Sequence, residues 1–181
     1  IDKYKDRIVA LGNNQIYGLD YEETFSPVAN LTTMRLLLAY SHANKLFIHS
    51  LDVKAAYLHG DIECNHPVYV SIPPGLPHHG TGKVWKLQKA LYGLKQSGRL
   101  WYFRLHKYLL SLGFKRSTED PCLYILRTDA NVLFILVYVD DIICASNNFD
   151  LLTKTKSQLS SEFHMDDMGD MDDEEDEGEE K

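Results

Sequence analysis

Cysteine is scarce in this chain and poorly placed for bridging. Its three thiols, Cys64, Cys122 and Cys144, are odd in number, widely spaced and without a CxxC pair. That argues against a disulfide framework or a zinc knuckle and for a reducing intracellular compartment. Long apolar runs are missing as well: none approaches the ~18 residues that span a bilayer, so no membrane partner is expected. The chain opens at Ile1 with no initiator Met and no basic-then-apolar leader, and it reads as a piece of a longer polypeptide. The third lack is of acids. Between Cys64 and Thr118 there is no Asp or Glu, while Lys83, Lys86, Lys89, Lys95, Arg99, Arg104, Lys107, Lys115 and Arg116 all fall there. A stretch of one sign builds a surface suited to a polyanion. Trp85, Tyr92, Trp101, Tyr102 and Phe103 lie among these bases, as in a groove that neutralises phosphates and stacks bases. The plainer alternative is solvated helix faces with core aromatics.

What remains is an ordinary globular composition. At 181 residues, 44% apolar and 25% charged, the chain fits one domain, or one and part of another, and buries a sizeable core. The net charge of −7 hides a division. Asp166 to Lys181 holds eleven acids and one lysine, and the other 165 residues carry 18 bases against 15 acids. The folded part is therefore mildly basic, and the segment 170–181 is expected to be a disordered acidic tail, too charged to bury.

Periodicity predicts the elements. Lys3 to Leu11 reads as one strand of an exposed hairpin, closed by a turn at Gly12-Asn13-Asn14. A helix capped by Thr32 or Thr33 runs through Met34 to Tyr40 and ends near Asn44. Leu46 to Val53 is a strand with Ser50 and Asp52 on one face and Leu51 and Val53 on the other. The stretch Ile72 to Gly80, rich in Pro and Gly, is a loop, and Lys83 to Leu87 a short strand. Ser97 caps a helix whose buried stripe is Trp101, Leu105, Tyr108, Leu109 and Leu112, closed by Gly113. A strand from Cys122 to Arg127, a turn at Thr128 to Asn131, a hairpin from Val132 to Ala145 and a helix from Asp150 to Phe163 follow. Segregated strands and helices point to an α+β fold with helices backing an antiparallel sheet.

The chemistry concentrates at one interruption. The apolar run Val132 to Val139 stops at Asp140 and Asp141 and resumes as Ile142-Ile143-Cys144-Ala145. Two adjacent carboxylates in a strand-forming run are costly to bury unpaired, so they sit at an exposed turn or share a cation. Asp52, near the end of the earlier strand, supplies a third acid. Three such oxygen donors select Mg²⁺ or Mn²⁺ and suit two-metal phosphoryl or nucleotidyl transfer, in which the ions stand about 3.5 to 4 Å apart. An Asp-Asp pair alone is weak support, because such dipeptides often only cap turns. The histidines add little. His78-His79 with His66 lacks ligand spacing and reads as a polar loop, and His49 and His59 have no nucleophile partner.

The surrounding boxes are specific. Tyr138-Val139-Asp140-Asp141 resembles the YxDD box of reverse transcriptases, and Leu51-Asp52-Val53-Lys54-Ala55-Ala56-Tyr57-Leu58-His59-Gly60 resembles the LDVKNAFLHG box of copia-type LTR retrotransposons. Asp20 to Val28, Leu91 to Ser97 and Leu110 to Phe114 match that family in order, so the resemblance covers residues 3 to 169. It implies a right-hand polymerase core, with fingers at about 1–27 and 60–97 and palm at about 28–59 and 98–165. It further implies an RNA-directed DNA polymerase that extends a primer 3′-OH with Mg²⁺ or Mn²⁺ held by Asp52, Asp140 and Asp141. Tyr57 would be the steric gate against a ribose 2′-OH. Val53 and Ala56 would offer backbone N–H groups to the triphosphate, and Arg7 and Lys5 would neutralise it. Tyr92 and Gln96 would contact template and nucleotide, with Val139 and Tyr138 beneath the primer end. The implied partners are an RNA template, a DNA primer, deoxynucleoside triphosphates and the thumb, RNase H and integrase of a polyprotein. The implied location is intracellular, in a cytoplasmic virus-like particle, with the nucleus as the other site. The rival reading is an inactive retroelement remnant that at most binds nucleic acid.

Three positions depart from the family pattern. Leu11 replaces a lysine, which removes a cation from the fingers. Gly98 replaces a proline suited to a first helical turn. The acidic segment from Asp170 replaces an apolar strand and the hairpin that grips the primer.

Overall fold

The structure, a computed structural model, describes residues 7–62 and 66–170. Lys5, Cys64 and the acidic segment from 171 onward lie outside the described residues. In chain order the elements are α1 Leu31–Ala43, β1 Phe47–Val53, β2 Tyr69–Ser71, β3 Val84–Lys86, α2 Ser97–Ser111, β4 Lys115–Arg116, β5 Leu123–Arg127, β6 Val132–Tyr138, β7 Asp141–Ser146, α3 Phe149–Glu162 and β8 Met165–Asp170. They fall into two compact units, Ile1–Ser26 with Ala55–Tyr108 and Pro27–Lys54 with Leu109–Lys181. These breaks, after Lys54 and after Tyr108, differ from the 59/60 and 97/98 boundaries drawn on the sequence. No helix among the described residues is long and apolar enough to cross a membrane.

The second unit is built on a six-stranded sheet in the order β4-β5-β6-β7-β1-β8, antiparallel at every pairing. The expected α+β class holds, and α1 and α3 both pack against β7. Alternation along the strands divides the sheet into two faces. On one, Leu133, Ile135, Val137, Ile142, Cys144 and Leu51 are buried, and α3 lies there, its Phe149 ring 6.1 Å from that of His49. The other face carries Phe134, Leu136, Ile143 and, at one end, Asp52 and Asp141. Each buried Leu or Ile contributes about 1.5–3 kcal/mol, so the aliphatic runs that suggested these strands also hold them.

Local chemistry sets the element ends. Asn30, rather than Thr32 or Thr33, caps α1: its side chain accepts the Thr32 N–H at 2.9 Å. Its own N–H donates to Asp120, which is buried and also accepts the Cys122 N–H at 2.9 Å. Asn148 caps α3 through the Leu151 N–H at 2.8 Å. Ser97 is not a cap but the first residue of α2, and its hydroxyl donates to the Leu91 carbonyl at 2.6 Å. Gly113, with φ +91°, ends the helical run as its lack of a Cβ allows. Of the expected strand Lys3 to Leu11, residues 3–6 lie outside the described residues and residues 7–11 form irregular chain, with the Ala10 N–H donated to the Tyr92 carbonyl at 2.7 Å. That crossing in the first unit is tight. At Gly93, with φ +90°, a Cβ would come within 2.1 Å of the Ala10 oxygen. Trp101 and Tyr102 are buried at 2% and 6% exposure, so the alternative of core aromatics is right for both.

Candidate active site

The three aspartates of the sequence reading converge in the second unit. Asp52, on β1, stands opposite Asp141, the first residue of β7, and Asp141 in turn faces Tyr138 across the β6–β7 hairpin. Facing residues on antiparallel strands have Cβ atoms about 4.5–5.5 Å apart. The turn is Val139-Asp140 and not Asp140-Asp141. Only Asp140 occupies the tip, while Asp141 belongs to the strand. Val139 has φ +59°, a value that a β-branched side chain adopts only under strain and that suits glycine at the first position of a II′ turn. The turn is pinned to β1 by the Val53 N–H, which donates to the Asp140 carbonyl at 2.8 Å. The Val53 N–H, expected to be offered to a triphosphate, is engaged in that bond.

Like charges directly opposite in a sheet repel. Partial burial first, then Asp140 and Asp52, push the Asp141 carboxyl above the usual carboxylate range. On its other side Asp52 faces Asp166 of β8. The Lys54 ammonium joins the two, with an ion pair to Asp52 and another to Asp166 at 2.7 Å. Hydrogen bonds to Asp166 and Asp52 raise the Lys54 pKa well beyond that of a free lysine. Neither β8 nor Asp166 was expected from the sequence. Among the described residues no three His, Cys, Asp or Glu side chains are gathered closely enough to hold a metal as they stand. The cation resting on Asp52 is Lys54. The donor chemistry nevertheless fits a hard divalent ion: the donors are all carboxylate oxygens, and their mutual repulsion is of the kind such an ion relieves.

A second group gathers in the first unit. The Tyr57 ring lies 4.8 Å from that of Tyr92, and the Arg7 guanidinium is 5.5 Å from the Tyr92 centroid. Ala56 is buried at the start of a 3₁₀ turn, Ala56–His59, entered through Ala55 in the left-handed region at φ 52°. Gln96 is also buried. Its amide donates to the Asp20 carbonyl and accepts from Gln15, both at 2.9 Å. It braces the 15–20 loop, where the sequence led to an expected contact with template and nucleotide. Of the acid-free span, Lys89 and Arg104 pair with Asp61, Lys95 stacks over Tyr21 at 4.7 Å, and Arg99 stacks over Phe103 at 4.6 Å. His66 pairs with Glu22 at 3.4 Å and His79 with the Ile72 carbonyl at 2.7 Å, so these histidines take loop roles. At Gly98 an added Cβ would meet nothing closer than 3.7 Å. Leu11 is exposed.

The sheet thus sets Asp141 of β7 opposite Asp52 of β1, with Asp140 in the adjoining turn. Residues 1–174 match the family described as reverse transcriptase (RNA-dependent DNA polymerase), and the chain belongs to that family. Among curated proteins it is similar to the retrovirus-related Pol polyprotein from transposon RE1 of Arabidopsis thaliana, with 44% identity over 168 residues. That match covers 92% of this chain and 11% of the relative. The corresponding polyprotein from transposon RE2 of the same plant is 43% identical, over 90% of this chain and 11% of the relative. The one from transposon TNT 1-94 of Nicotiana tabacum is 38% identical, over 92% and 13%. The chain thus spans only about a tenth of the length of these relatives. No solved structure matches it. The copia-type resemblance read from the boxes holds.

Proposed function

We propose that this chain is the fingers and palm core of a reverse transcriptase, which adds deoxynucleotides to a primer 3′-OH along an RNA template and releases pyrophosphate. The observation that carries this reading is the register that sets Asp52 opposite Asp141, with Asp140 in the adjoining turn. In this reading the sheet unit is the palm and the other unit the fingers. Asp52, Asp140 and Asp141 hold Mg²⁺ or Mn²⁺, which when bound supplies an activated primer oxygen and charge neutralisation for the leaving pyrophosphate.

The chain's own residues set position and selectivity. Asp52 and Asp140 are the principal acids and Asp141 the supporting one. Tyr57, its ring set against Tyr92, fills the volume that a ribose 2′-OH needs. Arg7, held over Tyr92, and Lys5 offset triphosphate charge, and the backbone donor is Ala56 alone. Val139 and Tyr138 support the primer end. The remaining parts of a polyprotein, a thumb and RNase H among them, are the expected partners.

Primer extension on poly(A)/oligo(dT) with Mg²⁺ tests the reading. Asp140→Asn should lower incorporation by at least about a hundredfold, since metal-held charge contributes several kcal/mol to such a transition state. In the same assay Tyr57→Ala should admit ribonucleotides. Equal incorporation by the wild-type chain and Asp140→Asn would remove the catalytic reading. Salt-sensitive RNA binding without extension would establish the alternative, a remnant that only binds nucleic acid.

A further inference from the structure

Lys54 is placed as a competitor for the site that it adjoins. It lies two residues after Asp52, in the turn that follows β1, and its backbone N–H is fixed by the His164 carbonyl at 2.8 Å. Its ammonium reaches Asp52 and Asp166 together, although those acids come from different strands. The three side chains are 39%, 31% and 55% exposed, so the bridge is open to ions from solution. One ammonium balances at most one carboxylate, and Lys54 is shared between two.

We infer that Lys54 is a built-in, displaceable counter-ion of Asp52, and that Asp166 is the acid that receives it when a divalent cation takes Asp52. The inference rests on the proposed metal role of Asp52 and adds two positioning residues to it. Without a metal, Lys54 offsets the charge of Asp52 and keeps the Asp52–Asp141 pair from splaying the sheet. A divalent ion approaching Asp52 must expel the ammonium. With Asp166 2.7 Å away the lysine keeps a partner throughout, so the exchange costs little. Without Asp166 the lysine would stay on Asp52 and oppose the metal.

Simple charge bookkeeping also predicts that removing Lys54 favours metal and that removing Asp166 disfavours it. The double-mutant cycle separates the two accounts. Mn²⁺ binding to the full chain is followed by electron paramagnetic resonance, and the component abolished by Asp52→Asn is the one scored, so that ions held by the acidic segment do not count. Circular dichroism confirms that each variant is folded. Lys54→Met should tighten that component and Asp166→Asn weaken it, each by roughly twofold to fivefold, the range of exposed ion pairs. In the Lys54→Met background Asp166→Asn should have no further effect. Effects that simply add would overturn the counter-ion role and leave the metal reading standing. A component seen only after Lys54→Met would support the inference in its strongest form. No Asp52-dependent Mn²⁺ in any variant would remove the metal reading, and this inference with it.

Discussion

At the scale of single residues, the candidate acids were legible in the sequence because their residue type was out of keeping with its surroundings. Asp140 and Asp141 stand out because carboxylates interrupt an aliphatic run, and Asp52 because it closes one. Which of them occupies the turn was not legible. Two-residue turns favour Gly, Asn or Asp, and that preference pointed to the Asp-Asp pair, whereas the pairing of Tyr138 with Asp141 forces Val139 to φ +59°. The partners of Val53 and Gln96 were equally hidden, since both spend polar groups on bonds to residues distant in sequence. The crowding of acids has a measurable cost. Partial burial, Asp140 and Asp52 raise the folded-state pKa of Asp141, so its ionised form opposes folding at neutral pH. Asp141→Asn should therefore raise stability at pH 7 by roughly 0.2–1 kcal/mol, the size of a cross-strand charge pair. The sign of its pH dependence follows from linkage: the gain shrinks as pH falls through the raised folded value and is gone below the ordinary carboxylate range, where wild type is protonated in both states. Chemical denaturation of both chains between pH 3 and 8 measures this, and a gain that persists in acid would refute it.

At the scale of elements, periodicity identified α2, α3 and the β6–β7 hairpin because their apolar residues recur at the spacing of the structure they form. It missed β8, whose sequence Met165-Asp166-Asp167-Met168-Gly169-Asp170 carries the charge of a solvated segment. The strand exists because alternation sends its two adjacent acids to opposite faces, where each meets a lysine from elsewhere in the chain. Asp166 meets Lys54 of the β1 end, and Asp167 meets Lys156 of α3 at 2.6 Å. Burial alone would raise the Asp167 carboxyl, but the hydrogen bonds from Lys156 and the Gly169 N–H outweigh it and hold the group below the usual carboxylate range. The stability this brings is present above the unfolded-state pKa and is lost as pH falls through the lowered folded value. Asp167→Asn should accordingly cost about 1 kcal/mol or less at pH 7, discounted for the exposure of the acid, and nothing in strong acid. Its pH profile is opposite in sign to that of Asp141→Asn. Equal melting temperatures for wild type and Asp167→Asn at pH 7 would show that the pair contributes nothing to β8.

At the scale of the whole molecule, the scarcity of cysteine acquires a structural sense. Burial pushes the thiols of Cys122 and Cys144 up to about 12, with the Asp120 charge adding to the effect at Cys122. At Cys144, Asp167 reinforces the rise and Lys156 opposes it. Both thiols lie in the sheet unit. Alkylation at pH 8, mapped by mass spectrometry, should spare both in the native chain and modify both in denaturant, so that their labelling tracks opening of the core. Rapid native labelling of either would contradict the packing of β5 to β7. By itself the sequence determined the elements with a strong apolar period and the α+β class, and it singled out the candidate acids, because these depend on residue type and on spacing within one segment. Only the tertiary structure decided that Asp52 faces Asp141, that Lys54 is shared with Asp166, that Gln96 points inward and that an acidic hexapeptide is a strand. Each of these depends on partners tens of residues away, and the free energy of pairing a charge or an amide is set by which group the fold brings within hydrogen-bond reach.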